Sequence, residues 1–158
     1  MNTKIDEDGY NLKIYKKIEL EKYSDMNRKI MEETNIFTEF LYKKLDSIEY
    51  AMESNETTLF LDCDIILLNK MDLLIDRKYD VGLSPHHILE ESEKMFGKYN
   101  VGFVYINNKN ILSYWRDLMK KNIGYYEQGA LDYFEEDFKV FKFDDSYNYG
   151  WWRLFQCK

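Results

Sequence analysis

Proline is nearly missing, with Pro85 alone in 158 residues, so the proline-rich spacers that separate domains have no place here. Cysteine is scarce too. Cys63 and Cys157 are too few for a disulfide framework, and Cys63 lies inside an apolar run that reads as a buried strand, so a reducing, cytoplasmic setting is expected. Basic residues are outnumbered 22 to 29, and the resulting net charge of −7 argues against a general affinity for nucleic acid or an anionic membrane. No apolar run reaches the length of a membrane span, and the segment from Met1 to Gly9 is too polar for a signal peptide core. Repeats and low-complexity tracts are lacking as well. What is present is an aromatic-rich chain long enough for one continuous core, expected as a single domain over residues 1–158.

The run from Thr58 to Leu68 stands out because it carries two carboxylates, Asp62 and Asp64, where a buried strand tolerates them least. Residues two apart in a strand share a face, so the two would project together while Leu61 and Cys63 face the other way. Adjacent anions repel and are costly to bury, which places the pair at the strand's exit, facing a cleft, with a cation beside it. Mg²⁺ and Mn²⁺ suit such oxygen ligands and keep positions open for phosphate oxygens. A D-x-D tripeptide arises roughly once by chance in an acidic chain of this length, and its bland reading is a solvated strand end.

Alternation of Leu12, Ile14, Ile18 and Leu20 predicts a first strand, and Ser24 or Asp25 can cap a helical turn after it. Phe37, Phe40, Leu41, Leu45, Ile48, Ala51 and Met52 recur at helical spacing, with Asn55 closing the helix. Strand, helix, strand in this order predicts a right-handed crossover with parallel pairing, and ligands outside the strands' carboxyl ends. Further on, Met71 to Leu74 reads as a helical turn, Tyr79 to Ser84 as a strand, and Glu90 to Lys98 as a loop or short helix over the site. Tyr99 to Ile106 is a strand with Gly102 near its start, where a backbone or ligand approaches closely. Ile111, Leu112, Trp115, Leu118 and Met119 form one helical face, a further helix starts near Glu127 with Leu131 and Phe134 inward, and Phe138 to Phe143 alternates as a last strand. The whole is α/β around a mixed sheet.

Several of these segments, in order, resemble the nucleotide-diphospho-sugar transferases of the GT-A glycosyltransferase fold. Leu59 to Asp64 is similar to their D-x-D strand, Asn100-Val101-Gly102-Phe103 to their N-x-G strand, and Glu127 to Asp132 to the D-Q-x-x-L-N/D helix start of the glycogenin-like branch, with Glu for the usual Asp. Ser84-Pro85-His86, Phe96 to Asn100 and Tyr114-Trp115-Arg116 resemble bacterial and viral members. The resemblance implies a Rossmann-like mixed sheet flanked by helices. It further implies transfer of a sugar from a nucleoside-diphosphate sugar to a hydroxyl of a glycan, protein or small molecule, with Mn²⁺ or Mg²⁺ on the diphosphate. On that basis Asp62 and Asp64 are the metal ligands, Asp62, His86, Asn100 and Gly102 contact substrate, and Glu127 and Gln128 lie nearest the reacting carbon. The departure is at the front: the strand and helix that open the family's domain have no counterpart before Leu12, and no histidine follows His86 and His87 to act as a C-terminal metal ligand.

Each residue also has a plainer reading. Glu127 and Gln128 suit an ordinary helix start, where the helix dipole favours Glu. His86 can bind phosphate or metal or simply sit in a turn, and His87 reads as surface. Lys43 and Lys44 can approach a diphosphate or form a solvated face. Trp115 reads as core, and Trp151-Trp152 as core or lid packing rather than sugar stacking. Two rival functions share the local chemistry: a non-catalytic remnant that binds metal or nucleotide sugar, and a haloacid-dehalogenase-type phosphatase with Asp144-Asp145 as its later acidic pair.

Overall fold

The computed structural model describes residues 4–5, 12–13, 21–68, 71 and 75–150, and the chain divides into two compact units, Met1–Phe37 and Thr38–Lys158. In the first unit β1 (Lys4–Ile5) and β2 (Leu12–Lys13) pair antiparallel, with Ile5 opposite Leu12. Residues 14–20 of the expected first strand lie outside the described residues. A 3-10 turn, Glu21–Tyr23, precedes α1 (Arg28–Glu33). Asn27, not Ser24 or Asp25, caps α1: its Oδ1 accepts the Ile30 N–H at 3.0 Å. Only a residue directly before the first helical position can reach that amide.

At the boundary begins α2 (Phe37–Met52), which buries Leu41, Leu45, Ile48 and Met52 as their spacing predicts. Asn55 Nδ2 donates to the Ala51 carbonyl at 2.7 Å and satisfies one of the helix's terminal acceptors. In the second unit β3 (Thr58–Leu61), β4 (Val81–Pro85), β5 (Tyr99–Ile106) and β6 (Val140–Lys142) form one mixed sheet in the order β3-β5-β4-β6. β5 runs antiparallel to both its neighbours, while β6 is parallel to β4.

Two expectations are corrected. The parallel pairing predicted for the D-x-D strand is replaced by an antiparallel ladder of β3 on β5, while Leu12 and Lys13 pair with β1. Strand order constrains handedness only when both strands join one sheet, and register is what decides that. The strand ends at Leu61 with the acid pair at its exit, but Asp62 and Asp64, expected to share a strand face, lie on the turn that follows. Asp62 to Ile65 make a turn closed by Ile65 N–H on the Asp62 carbonyl at 3.2 Å, and Cys63 is an exposed free thiol. Extending the ladder through Asp62 and Asp64 would drag carboxylates between paired strands, and the chain leaves the sheet instead.

On one face of β5, Phe103 and Tyr105 cluster with Phe143, the Phe103 and Phe143 rings meeting edge to face at 5.0 Å. Val104 and Ile106 point the other way and are also fully buried. The helix α4 (Asn110–Lys120) buries Ile111, Leu112, Trp115, Leu118 and Met119, the predicted set. Arg116 joins α4 to α2 through Asp46 at 3.1 Å and Glu49 at 2.8 Å.

The single helix expected from Glu127 is three short pieces: α5 (Tyr126–Gly129), a 3-10 turn Ala130–Tyr133, and α6 (Phe134–Asp137), numbered after α3 (Glu90–Phe96). Leu131 and Phe134 are buried as predicted. A Cβ on Gly129 would stand 2.8 Å from the Gly124 Cα, so two backbones touch there and only glycine fits. Residues 72–74 of the expected Met71 turn, and Trp151-Trp152, lie outside the described residues. Among the described residues no helix is long and apolar enough to cross a membrane.

Candidate functional site

The site is built on an irregularity in β5. Leu83 pairs with Val104 but its neighbour Ser84 pairs with Asn100, so Val101, Gly102 and Phe103 have no partner on β4. Over this extra length β5 pairs on the β3 side alone, with Phe103 opposite Leu61 and the Asp62 N–H donating to the Gly102 carbonyl at 2.8 Å. The N-x-G segment and the D-x-D turn are thereby held side by side.

Asn100 is locked by a network whose orientation follows from obligate donors. The Gly102 N–H donates to Asn100 Oδ1 at 2.8 Å, as does Asn148 Nδ2 at 2.8 Å, so the Asn100 NH₂ must point the other way. There it meets His86 Nε2 at 3.0 Å, and His86 Nδ1 lies 3.1 Å from the Gly97 carbonyl. A carbonyl only accepts and an NH₂ donates, so the hydrogen-bond pattern assigns the His86 proton to Nδ1 and makes Nε2 the acceptor. Both ring nitrogens of this buried histidine are engaged within the protein.

Lys44 supplies the cation that the paired acids call for. Its Nζ stands 3.2 Å from Asp62 Oδ1 and 3.2 Å from Glu127 Oε1, over the Phe60 ring at 5.1 Å. The Lys44 and Glu127 side chains retain only 14% and 9% exposure, whereas Asp62 retains 37%. Glu127 is the second residue of α5, directly after Tyr126, whose left-handed backbone (φ 49°) is rare for an aromatic residue and turns the chain into the site. Trp115 Nε1 donates to the Glu127 carbonyl at 2.8 Å, anchoring that turn to the core.

The next residue does different work. Gln128 Nε2 donates to the Phe96 carbonyl at 2.8 Å, and its Oε1 accepts the Val101 N–H at a long 3.4 Å. Asp132, the last residue of the same motif, takes the Lys98 N–H on both oxygens at 2.9 and 3.2 Å. Burial pushes the Asp132 carboxyl above its ordinary range, and the Lys98 N–H opposes that shift. Together Gln128 and Asp132 brace the entrance of β5.

A cleft of about 660 Å³ collects Asp62, Asp64, Asn100 and Gly102 with the segment Ile65 to Leu68 and the segment Ser146 to Gly150. Asp62 and Asp64 reach it from a turn, not from one strand face. Glu127, Gln128 and Asp144-Asp145 do not line it, nor does His86, which reaches it through Asn100; Asp144 accepts the Ser146 N–H at 2.9 Å. His87 is exposed, as expected, with a left-handed backbone of φ 52°. The helix α3 lies on a separate cavity of about 420 Å³ with Gly97 and Asp132. Among the described residues no group of three or more His, Cys, Asp or Glu is placed so that it could hold a metal ion together.

Asn148 is a residue that sequence reasoning passed over, and Lys44 is one it weighed between a diphosphate contact and a solvated face without expecting it between two carboxylates. The signal for Lys44 was available: it lies three residues after Leu41 and four before Ile48, a cation on the apolar face of α2 rather than the solvated one. Asn148 gave no comparable signal, since its left-handed backbone (φ 49°) and its bond to Asn100 arise from the tertiary arrangement.

No family model matches the sequence, and no curated protein does. Among solved structures, the glycosyltransferase GlyE of Streptococcus pneumoniae TIGR4 is similar, with a TM-score of 0.52 and 21% identity over 70% of this chain. The chain spans about 30% of the length of that structure. At this identity the comparison speaks to architecture: the chain has the fold of a glycosyltransferase, a mixed sheet flanked by helices.

Proposed function

We propose that this chain transfers a sugar from a nucleoside-diphosphate sugar to a hydroxyl of a glycan, protein or small-molecule acceptor, with Mn²⁺ or Mg²⁺ held by Asp62 and Asp64. The observation that carries the reading is the meeting of Lys44 with both Asp62 and Glu127 beside the cleft that Asp64 and Asn100 also line. In the reaction the bond between the anomeric carbon and the phosphate oxygen breaks, and its electron pair leaves with the diphosphate. The acceptor oxygen bonds to that carbon and gives up its proton.

The acid pair suits a hard divalent ion, since both side chains offer only oxygen acceptors to the cleft and Asp62 Oδ2 lies in the space a Cβ on Gly102 would fill. Asp62 and Asp64 would each supply an oxygen ligand to such an ion. When bound, the ion offsets the negative charge that grows on the departing diphosphate. Lys44 fixes Asp62 and Glu127 relative to each other, and the nearly enclosed Glu127 carboxylate acts on the substrate through that pairing. Asn100, held by Gly102, Asn148 and His86, presents a fixed amide to the sugar. Gln128 enters as a positioning residue, because its amide holds Phe96 and Val101 in place.

Calorimetric titration of nucleotide sugars with Mn²⁺, followed by an assay for released nucleotide, tests the proposal. Release should fall to background with EDTA and return with Mn²⁺. Binding without release would instead favour the non-catalytic remnant, and hydrolysis of a generic aryl phosphate the phosphatase. Gly102→Ala offers a second check. Its Cβ would lie 2.8 Å from Asn100 Oδ1 and 2.9 Å from Asp62 Oδ2, so both must give way or the backbone must shift. Nucleotide release should drop about tenfold or more, with only about 1–2 kcal/mol lost in urea denaturation. Unchanged turnover in this variant would separate Asn100 and Asp62 from the chemistry.

A further inference from the structure

Asn100 lines the main cleft with its hydrogen-bonding capacity almost used up. A side-chain amide oxygen has two lone pairs, and both are taken, one by the Gly102 N–H and one by Asn148 Nδ2, each at 2.8 Å. The amide nitrogen has two hydrogens. One meets His86 Nε2 at 3.0 Å, and among the described residues the other has no partner. Asn100 therefore brings one N–H to the cleft and no acceptor.

The buried ring behind it keeps that polarity. His86 is bound twice to the corner that follows α3: its backbone N–H donates to the Lys98 carbonyl at 2.8 Å, and its Nδ1 faces the Gly97 carbonyl at 3.1 Å. The corner itself is held. Gly97 stands at φ 93°, its N–H donates to the Glu93 carbonyl at 2.8 Å, and a Cβ there would lie 3.3 Å from Asp132 Oδ1. With a carbonyl fixed against Nδ1, the ring proton stays on that side and Nε2 keeps a lone pair for Asn100. A proton on Nε2 would set donor against donor. The amide could not answer by flipping, because its nitrogen would then face the Gly102 N–H and the Asn148 NH₂.

We infer that His86 is a positioning residue whose Nδ1-protonated ring makes Asn100 a donor-only contact, so that this point of the cleft selects a sugar oxygen that accepts over a group that only donates. This rests on the donor reading above and adds to it the polarity of the sugar contact and the residue that sets it. A ligand group with the wrong polarity would leave the Asn100 N–H unpaired against a second donor, and a mismatch of that kind discriminates more strongly than a difference in size.

The test has one readout that needs no substrate. The chain holds only His86 and His87, so long-range proton–nitrogen NMR spectra of the native chain and His86→Gln assign each ring, and His86 should carry its proton on Nδ1. Uridine diphosphate glucose and uridine diphosphate are then titrated calorimetrically with Mn²⁺ into the native chain and its variants, with a thermal melt to confirm folding. His86→Leu, which offers Asn100 no acceptor, should weaken the nucleotide sugar about tenfold and leave uridine diphosphate unchanged. His86→Gln, whose Oε1 can take the place of Nε2, should recover most of that loss. Asn100→Asp keeps the shape and loses the N–H, and it should weaken the nucleotide sugar at least as much as His86→Leu. The inference is overturned if the His86 proton lies on Nε2, if His86→Leu and His86→Gln bind alike, if His86→Leu weakens both probes equally, which would place the contact on the diphosphate, or if Asn100→Asp binds the nucleotide sugar as the native chain does. Should His86→Leu not fold, the spectrum and Asn100→Asp decide. If the native chain binds neither probe, the donor reading falls and the sugar contact with it, while the spectrum still judges the hydrogen-bond network by itself.

Discussion

Asp64→Asn is expected to cut metal-dependent nucleotide release at least about a hundredfold while leaving the thermal melt within about 0.5 kcal/mol of the native chain. The side chain is exposed on the turn after β3, so no buried partner is lost when its charge is removed. What is lost is half of the oxygen charge that the acid pair offers to a divalent ion, and a neutral amide oxygen is a much poorer ligand for it. Titrating Mn²⁺ into the assay separates this cause from others, since the variant should need more metal for half-maximal release. Asp62→Asn should lose as much activity and also some stability, because Asp62 Oδ1 is 3.2 Å from Lys44 Nζ. Equal release by the Asp64 variant and the native chain, at equal Mn²⁺, would remove the acid pair from the reaction.

Lys44→Met should be costly in both respects. Lys44 and Glu127 are nearly enclosed, and removing the ammonium leaves the Glu127 carboxylate without its ion-pair partner, a change worth about 2–3 kcal/mol in urea denaturation. Little more is expected from the Asp62 side, where greater exposure lets water screen the charge. Methionine keeps most of the apolar stem against Phe60, so the loss reports the charge more than the packing. Release should fall about a hundredfold, since Asp62 and Glu127 would no longer be held at a fixed separation. Lys44→Arg should recover much of the stability but less of the activity, because a planar fork does not replace a point charge between two carboxylates. If the methionine variant turns over like the native chain, Lys44 is a structural ion pair and nothing more.

The parts of the fold that follow local physics were legible in advance. The apolar face of α4, from Ile111 to Met119, is buried residue for residue as its spacing requires. The strand character of Tyr99 to Ile106 was equally plain. Less legible was that the chain turns at Asp62 instead of carrying both carboxylates on one strand face, since the apolar residues continue past Asp64 while the ladder does not. For Lys44 the doublet with Lys43 suggested a diphosphate contact or a solvated face, while its helical phase put it with Leu41 and Ile48, and phase is the better guide when the two conflict.

Residue chemistry at short range was written in the chain: an acid pair at the end of an apolar run, an Asn two residues before a Gly, a Glu at a helix start. Those patterns rest on propensity and periodicity, which act over a few residues. Which of them would meet was a matter for the folded molecule. Lys44 and Glu127 are 83 residues apart, and Asn148 and Asn100 are 48 apart. Their contacts depend on the direction in which β3 and β5 pair and on the three β5 residues left without partners on β4. Register and chain direction are settled by the packing of whole elements, and no short stretch of sequence carries that energy.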